Sequence, residues 1–235
     1  PNYNNIGWAR KHFQEYHELQ YQYVSYIGWR GLAYKGQTIN INEQGIRNTP
    51  QSEYATDKSR LVVFMGGSTM LGEGVNDANT IPAHFASIAH GRFRAVNFGE
   101  GAYNAFQEYL FLKLQVINGL KPYAVVSYDG VNDSKVLMAD RRPFSHDREN
   151  QIRNIMKGQD KDDDKTLSFG YYLLNPLKSF IAKYKKDRVE YDTFEISQQD
   201  VENKAKILLE SWMSTKELAE SQGTYFIAVL QPNAG

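Results

Sequence analysis

Residues 61–69 read LVVFMGGST, and this stretch decides the fold. Its first five residues are apolar, which is too short a run for a helix, and Gly66 and Gly67 bound it, so it predicts a buried strand. The two glycines lack a Cβ that would clash in a sharp strand-to-helix turn, and Ser68 follows them directly. The stretch therefore predicts a strand, a tight turn and a serine hydroxyl at the amino terminus of a helix.

The same alternation of strand and helix continues along the chain. Thr80 and Pro82 are typical of a helix start, and apolar residues repeat at helical spacing in two later segments. The predicted order after the first strand is helix 81–90, strand 95–98, helix 103–118, strand 123–128, helix 201–212 and strand 224–230. This order predicts an α/β fold of three layers, with a doubly wound, mostly parallel sheet covered by helices on both faces.

Two segments fall outside this alternation. We interpret residues 1–57 as an N-terminal arm packed on the core, with an aromatic-rich helix over 6–24 and a hairpin over 34–47. Residues 58–235 form the main domain, with a polar insertion at about 138–197 that contains the charge run KGQDKDDDK. This run resembles the start of a calcium loop, but Lys165 stands where glycine is needed, so we expect a solvated loop, and the insertion could act as a lid.

Composition excludes several classes of function. The 235 residues carry 27 Lys+Arg and 27 Asp+Glu, so no overall field favours nucleic acid. The absence of Cys excludes thiolate chemistry and disulfides, and no apolar run reaches the roughly 18 residues of a membrane span. Because the chain begins with Pro1, we expect a trimmed precursor and slightly favour an exported protein. Membrane contact and oligomeric state are left open.

Suggestive residues follow three successive strands. The first strand ends in GGST, the second in FGEGAYN (98–104) and the third in YDGVND (128–133). Ligands of open parallel sheets bind beyond the carboxyl ends of the strands, so these turns are expected to meet. There, a serine could attack a substrate while the Asn132 carboxamide and a backbone N–H stabilise an oxyanion. Taken singly, Ser68 is more often a helix cap and Asn132 a turn former.

Two other motifs are rejected by counting positions. A phosphate-binding loop would need Lys directly after Gly72, where this chain has Glu73. The nucleophile elbow of α/β-hydrolases would need glycine at position 70, which is Met70. A different kind of serine site is indicated.

The segments GGSTMLGEGV, VNFGEGAYN and GVND resemble three sequence blocks of the SGNH, or GDSL-like, hydrolase family. This resemblance implies a flavodoxin-like fold whose last strand and helix would lie beyond Gly235. It also implies that Ser68 is the nucleophile, that the turn at Gly101 gives a backbone oxyanion donor, and that Asn132 gives the side-chain donor.

Three positions depart from the family pattern. Gly67 stands where many members have Asp, and Ala102 stands where glycine is expected, so the backbone donor is Gly101 or Ala102. The family's Asp-x-x-His block is absent, and we expect its histidine beyond residue 235, because serine needs a neighbouring base. His146 is an alternative base, whereas surface or packing roles are expected for His12, His17, His84 and His90.

The leading hypothesis is hydrolysis of a small-molecule or carbohydrate acyl ester through an acyl-serine, which needs no metal or organic cofactor. The 16 Tyr and 3 Trp would suit a sugar-stacking surface, although such rings more often fill cores. Two alternatives are transfer of the acyl group to a polysaccharide hydroxyl, and a non-catalytic binding module that keeps the fold.

Overall fold

The computed structural model describes residues 3–134, 144–156 and 197–232. Its helices are α1 (Ala9–Glu18), α2 (Ser68–Leu71), α3 (Ile81–Ile88), α4 (Ala105–Ile117), α5 (Glu149–Met156) and α6 (Gln198–Ser221). Its strands are β1 (Tyr21–Val24), β2 (Gly28–Gly31), β3 (Tyr34–Lys35), β4 (Asn40–Ile41), β5 (Arg60–Gly66), β6 (Phe93–Asn97), β7 (Ala124–Asp129) and β8 (Tyr225–Leu230).

Four strands form the central sheet in the order β6-β5-β7-β8. All three pairings are parallel, and Val63 at the centre of β5 pairs with Val96 on one side and Val125 on the other. The strands alternate with α3, α4 and α6 along the chain, so the predicted α/β class with a parallel sheet is confirmed.

Apolar side chains cover both faces of the sheet. Val63 and Met65 point into one buried cluster, which α4 fills with Phe111 and α6 with Leu218. The alternate residues of β5 join a second cluster on the other face, which α3 fills with Ala86. Since successive side chains of a strand point to opposite faces, one apolar run supplies two cores. The result is three layers, and the carboxyl ends of β5, β6 and β7 open at one edge.

Side-chain caps fix the starts of α3 and α4. The Thr80 hydroxyl accepts a hydrogen bond from the N–H of Ala83, as the sequence suggested. Asn104 caps α4 by accepting from the N–H of Gln107, so this helix starts two residues later than predicted. Tyr103 therefore belongs to the turn before α4 rather than to the helix, which matters for the site.

The arm differs from its predicted form. The helix expected over 6–24 ends at Glu18, and Tyr21–Val24 instead forms β1, which pairs antiparallel with β2. Alternating aromatic residues favour a strand, and the partner strand follows after a short turn. Pairing of β1 with β2 is therefore favoured over a longer α1. The second hairpin pairs β3 with β4, and Ile41 bridges Arg47 across the NEQG turn.

Much of the predicted insertion at 138–197, including its charge run and the proposed lid, lies outside the described residues. The described part, residues 144–156, ends in α5. Within the ranges described, no helix is both long and apolar enough to cross a membrane.

Candidate active site

Ser68 is the first residue of α2, directly after the carboxyl end of β5. Its carbonyl accepts from the N–H groups of Gly72 and Glu73, which closes a single helical turn. The side chain is half-buried and borders an open cavity of about 380 Å³ together with Thr69 and Glu73. Ser68 thus lies at the edge of the sheet beside open space, and neither Asn132 nor Ala102 lines this cavity.

Two buried side chains from other parts of the chain hold this turn. Asn97, at the end of β6, donates from Nδ2 to the carbonyl of Met70 over 2.9 Å. Arg47, from the arm, donates from one guanidinium nitrogen to the carbonyls of Leu71 (2.8 Å) and Gly72 (2.7 Å). These bonds satisfy carbonyls that such a short helix leaves without partners. Sequence reasoning missed both residues, because neither belongs to a recognisable motif.

Asn132 lies against the turn that carries Ser68. Its Nδ2 donates to the carbonyl of Tyr103 over 2.7 Å, and a Cβ placed on Gly67 would overlap the same nitrogen. The turns after β5, β6 and β7 therefore meet at Gly67, the residue before Ser68. One hydrogen of the carboxamide is used by Tyr103, and the second remains for another acceptor.

Among the described residues, the turn after β6 leaves the N–H groups of Ala102 and Asn104 without a hydrogen-bond partner. Glu100 N–H donates to Gly66 O (3.0 Å), Gly101 N–H to Glu100 Oε1 (3.0 Å) and Tyr103 N–H to Glu100 O (3.3 Å). Among the described residues the Ala102 N–H has no such partner. Ala102 also has a φ of 64°, in the left-handed region that favours glycine, and this is the position where the family pattern expects glycine.

Glu100 anchors this turn from inside the protein. Its carboxylate is buried, lies 3.5 Å from Arg30 Nε and accepts hydrogen bonds from Gly31 N–H and Gly101 N–H. Burial raises the pKa of Glu100, and Arg30 and the two N–H donors oppose that rise. The side chain ties the turn to the arm and occupies the N–H of Gly101.

Three carboxyl groups lie beneath the Asn132 turn. Glu108 and Asp129 are buried, and the pKa of Glu108 is raised well above its usual value, first by burial and then by the charge of Asp129. Burial, followed by the charge of Asp129, raises the pKa of Asp133 to about 6. Asp133 Oδ1 accepts from Ala105 N–H at 3.3 Å, which links the turn to the start of α4.

Within the described part of the chain, no acidic, His or Cys cluster suits a metal ion.

The described histidines have other surroundings. His146 packs edge-on against Trp29, with ring centroids 5.4 Å apart; its Nε2 lies 3.4 Å from Glu149 Oε2 and its Nδ1 accepts from Arg148 N–H. Both ring nitrogens are engaged, which argues against His146 as the base for Ser68. His12 is fully buried inside the arm.

Comparison with known proteins gives limited similarity. No family model matches the chain. A stretch of 120 residues is 34% identical to the central glycolytic genes regulator of Bacillus subtilis (strain 168), covering 49% of this chain and 32% of the regulator. The chain thus spans about a third of that relative's length.

Solved structures with a similar fold include AlinE4, an SGNH-hydrolase family esterase, at 15% identity and a TM-score of 0.32 over 74% of this chain and 77% of that one. Another is the acetylxylan esterase Axe2 from Geobacillus stearothermophilus, at 14% identity and a TM-score of 0.29 over 76% and 77% of the two chains. The class of this fold rests on its own sheet topology, and activity does not follow from these similarities.

Proposed function

We propose that the protein hydrolyses acyl esters through a covalent acyl-serine on Ser68. The observation that carries the proposal is the meeting of three strand-end turns at Gly67, with the Asn132 carboxamide beside the residue that precedes Ser68. A hydroxyl and a side-chain donor at one point of the sheet edge are what acyl transfer to serine requires.

In this mechanism the Ser68 hydroxyl attacks the ester carbonyl and a tetrahedral oxyanion forms. The second hydrogen of Asn132 Nδ2 and the N–H of Ala102 donate to that oxyanion. We assign the backbone donor to Ala102 rather than Gly101, because the Gly101 N–H already donates to Glu100 Oε1. The oxyanion then collapses, the ester C–O bond breaks, and the alcohol leaves with the proton that the base took from Ser68. Water then attacks the acyl-serine, which releases the acid and restores the Ser68 hydroxyl.

The proton of the Ser68 hydroxyl must pass to a base. The resemblance to SGNH hydrolases expects a histidine in an Asp-x-x-His block after the strand that corresponds to β8. Gln231, the first residue after β8, donates from Nε2 to the Thr69 hydroxyl over 2.8 Å. The chain therefore leaves β8 beside the nucleophile turn, where a following segment is well placed to supply the base.

The test is covalent labelling of the full-length protein with a fluorophosphonate, followed by mass spectrometry of the labelled peptide. We expect one adduct on Ser68, absent in Ser68→Ala and unchanged in Ser87→Ala, which alters an exposed serine of α3. Labelling that persists in Ser68→Ala would remove Ser68 from the mechanism.

Asn132→Ala tests the oxyanion donor. We expect kcat for an acetyl ester to fall by about 10² to 10³ with little change in KM, because the donor acts mainly in the transition state. Asn118→Ala, an exposed residue after α4, is the matched control and should keep the parent kcat. Product analysis with a carbohydrate acceptor would separate hydrolysis from transfer of the same acyl group.

A non-catalytic binding module is the second candidate, and the partial identity to a gene regulator favours it. This candidate predicts no adduct at Ser68 and no turnover in the full-length protein. The labelling experiment therefore decides between the two.

A further inference from the structure

Trp29, in β2 of the arm, is bonded to both neighbours of Ala102. Its indole Nε1–H donates to the carbonyl of Gly101 over 3.0 Å, and its own carbonyl accepts from the hydroxyl of Tyr103. The first bond holds the peptide unit that carries the Ala102 N–H, and the second holds the side chain of the next residue. One residue of the arm thus restrains the turn on both sides of Ala102.

Ala102 needs such a restraint. Its φ of 64° lies in the left-handed region, which costs a residue with a Cβ free energy that glycine does not pay. An unrestrained alanine would return to negative φ, and its N–H would then point elsewhere. The bonds to Gly101 and Tyr103 oppose that rotation because they hold the flanking groups in place.

Trp29 is itself rigidly held. The side chain is 2% exposed and packs edge-on against the Tyr103 ring, with centroids 5.4 Å apart. The two residues after Trp29 also bind the turn after β6. Arg30 donates to the carbonyl of Phe98 (3.1 Å), and Gly31 N–H donates to Glu100 Oε2 (3.0 Å). Three consecutive residues of β2 therefore bind the loop from Phe98 to Tyr103.

We propose that Trp29 is a positioning residue that keeps the Ala102 N–H aimed at the oxyanion formed on Ser68. The proposal rests on the proposed function, since it assigns Ala102 as the backbone donor. It extends that function into the arm, which holds none of the residues assigned to the chemistry.

The test is Trp29→Phe, which keeps an aromatic ring and removes the indole N–H. Active sites are first counted by phosphonate labelling, and kcat is expressed per labelled site. We expect kcat per site to fall about tenfold, the cost of one lost hydrogen bond in the transition state, with KM changed less than about twofold. A merely structural role would lower the labelled fraction and leave kcat per site unchanged.

Two further variants test this result, one as a control and one as a second removal of a bond to Trp29. Thr224→Val removes another buried side-chain bond to a backbone carbonyl, that of Pro122 at the opposite end of the sheet, and should keep the parent kcat per site. Tyr103→Phe removes the second bond to Trp29 while keeping the ring, and should lower kcat per site as Trp29→Phe does. It also gives a result if Trp29→Phe does not fold.

A second measurement does not depend on catalysis. A positive φ brings the amide hydrogen of a residue close to its own Hα, so Ala102 should give a strong intraresidue NMR cross-peak that weakens in Trp29→Phe. If the parent is labelled and Trp29→Phe has the same kcat per site as the parent, the proposal is overturned and the proposed function stands. A parent that never labels would overturn the proposed function, and an unchanged Ala102 cross-peak would then also overturn the role of Trp29 as a restraint.

Discussion

Asn132 occupies the space that a side chain at position 67 would need, because a Cβ on Gly67 would overlap the Asn132 Nδ2 atom. The same Cβ would lie 3.4 Å from the carbonyl oxygen of Tyr103, which is ordinary contact. The missing side chain at Gly67 thus lets the carboxamide approach the residue next to Ser68.

Gly67→Ala should impair activity more than stability. The new methyl group displaces the Asn132 carboxamide, which is the end of a short side chain, so we expect kcat to fall about tenfold or more with little change in melting temperature. Gly7→Ala is the matched control, because a Cβ there meets nothing within 4 Å. Equal kcat in Gly67→Ala and the parent would contradict the assigned position of the carboxamide.

Arg47→Lys should destabilise the protein. The buried guanidinium donates to Leu71 and Gly72 carbonyls, to Val75 O (2.7 Å) and to Asp77 Oδ1 (2.9 Å), and an ammonium group on a thinner stem cannot reach all four. We expect a loss of about 2 to 4 kcal/mol in the free energy of unfolding, measured with urea. Arg10→Lys on the exposed face of α1 should lose nothing, and a similarly small loss in Arg47→Lys would argue against this network.

The stability of the protein should fall on mild acidification because of His12. Burial, and then the charge of Arg47, lower the pKa of His12 to about 4, so the unfolded chain binds a proton that the folded protein excludes. Stability is then complete above about pH 6.5 and decreases as the pH falls towards 4, with a loss of about 2 kcal/mol between pH 7 and 5. Urea unfolding at both pH values should show this loss in the parent and a smaller one in His12→Phe. An equal pH dependence in the two proteins would contradict the burial of a neutral imidazole.

Asp133 should have the opposite pH dependence. Its pKa of about 6 in the folded protein exceeds the value of about 3.9 for an exposed aspartate. The contribution of Asp133 to the free energy of unfolding is therefore complete below pH 4 and is lost as the pH rises through 6. Asp133→Asn should therefore raise the free energy of unfolding at pH 8, by on the order of 1 to 2 kcal/mol, and not at pH 4. Asp147→Asn, at an exposed position, serves as the control. A gain that is the same at both pH values would exclude titration of Asp133 as its cause.

The sheet could be predicted from the sequence because its strands are short apolar runs bounded by glycine and proline. Residues 61–65 and 123–128 differ from β5 and β7 by one residue at the ends. The approach of Asn132 to the Ser68 turn also follows from sequence, since the carboxyl ends of parallel strands share an edge. What the residues there do in catalysis stays a prediction.

The contribution of the arm could not be predicted in the same way. Arg30, Arg47 and Glu100 are charged, and a sequence pattern assigns such residues to the surface, whereas here each is about 2% exposed or less. Their burial depends on partners far along the chain, such as Asp77 for Arg47 and Glu100 for Arg30. Only tertiary structure reveals such pairs. For Ala102 the sequence indicates a position that favours glycine, but it does not predict the left-handed conformation of the backbone.

Trp29 and Gly101 are 72 positions apart, and Gly31 and Glu100 are 69 apart. Contacts between such distant positions close large loops and form slowly compared with local helices and hairpins. During synthesis the arm leaves the ribosome before the turn after β6, so it can dock only once that turn has been made. The turn from Phe98 to Tyr103 should thus reach its final shape late in folding, when the arm docks against it.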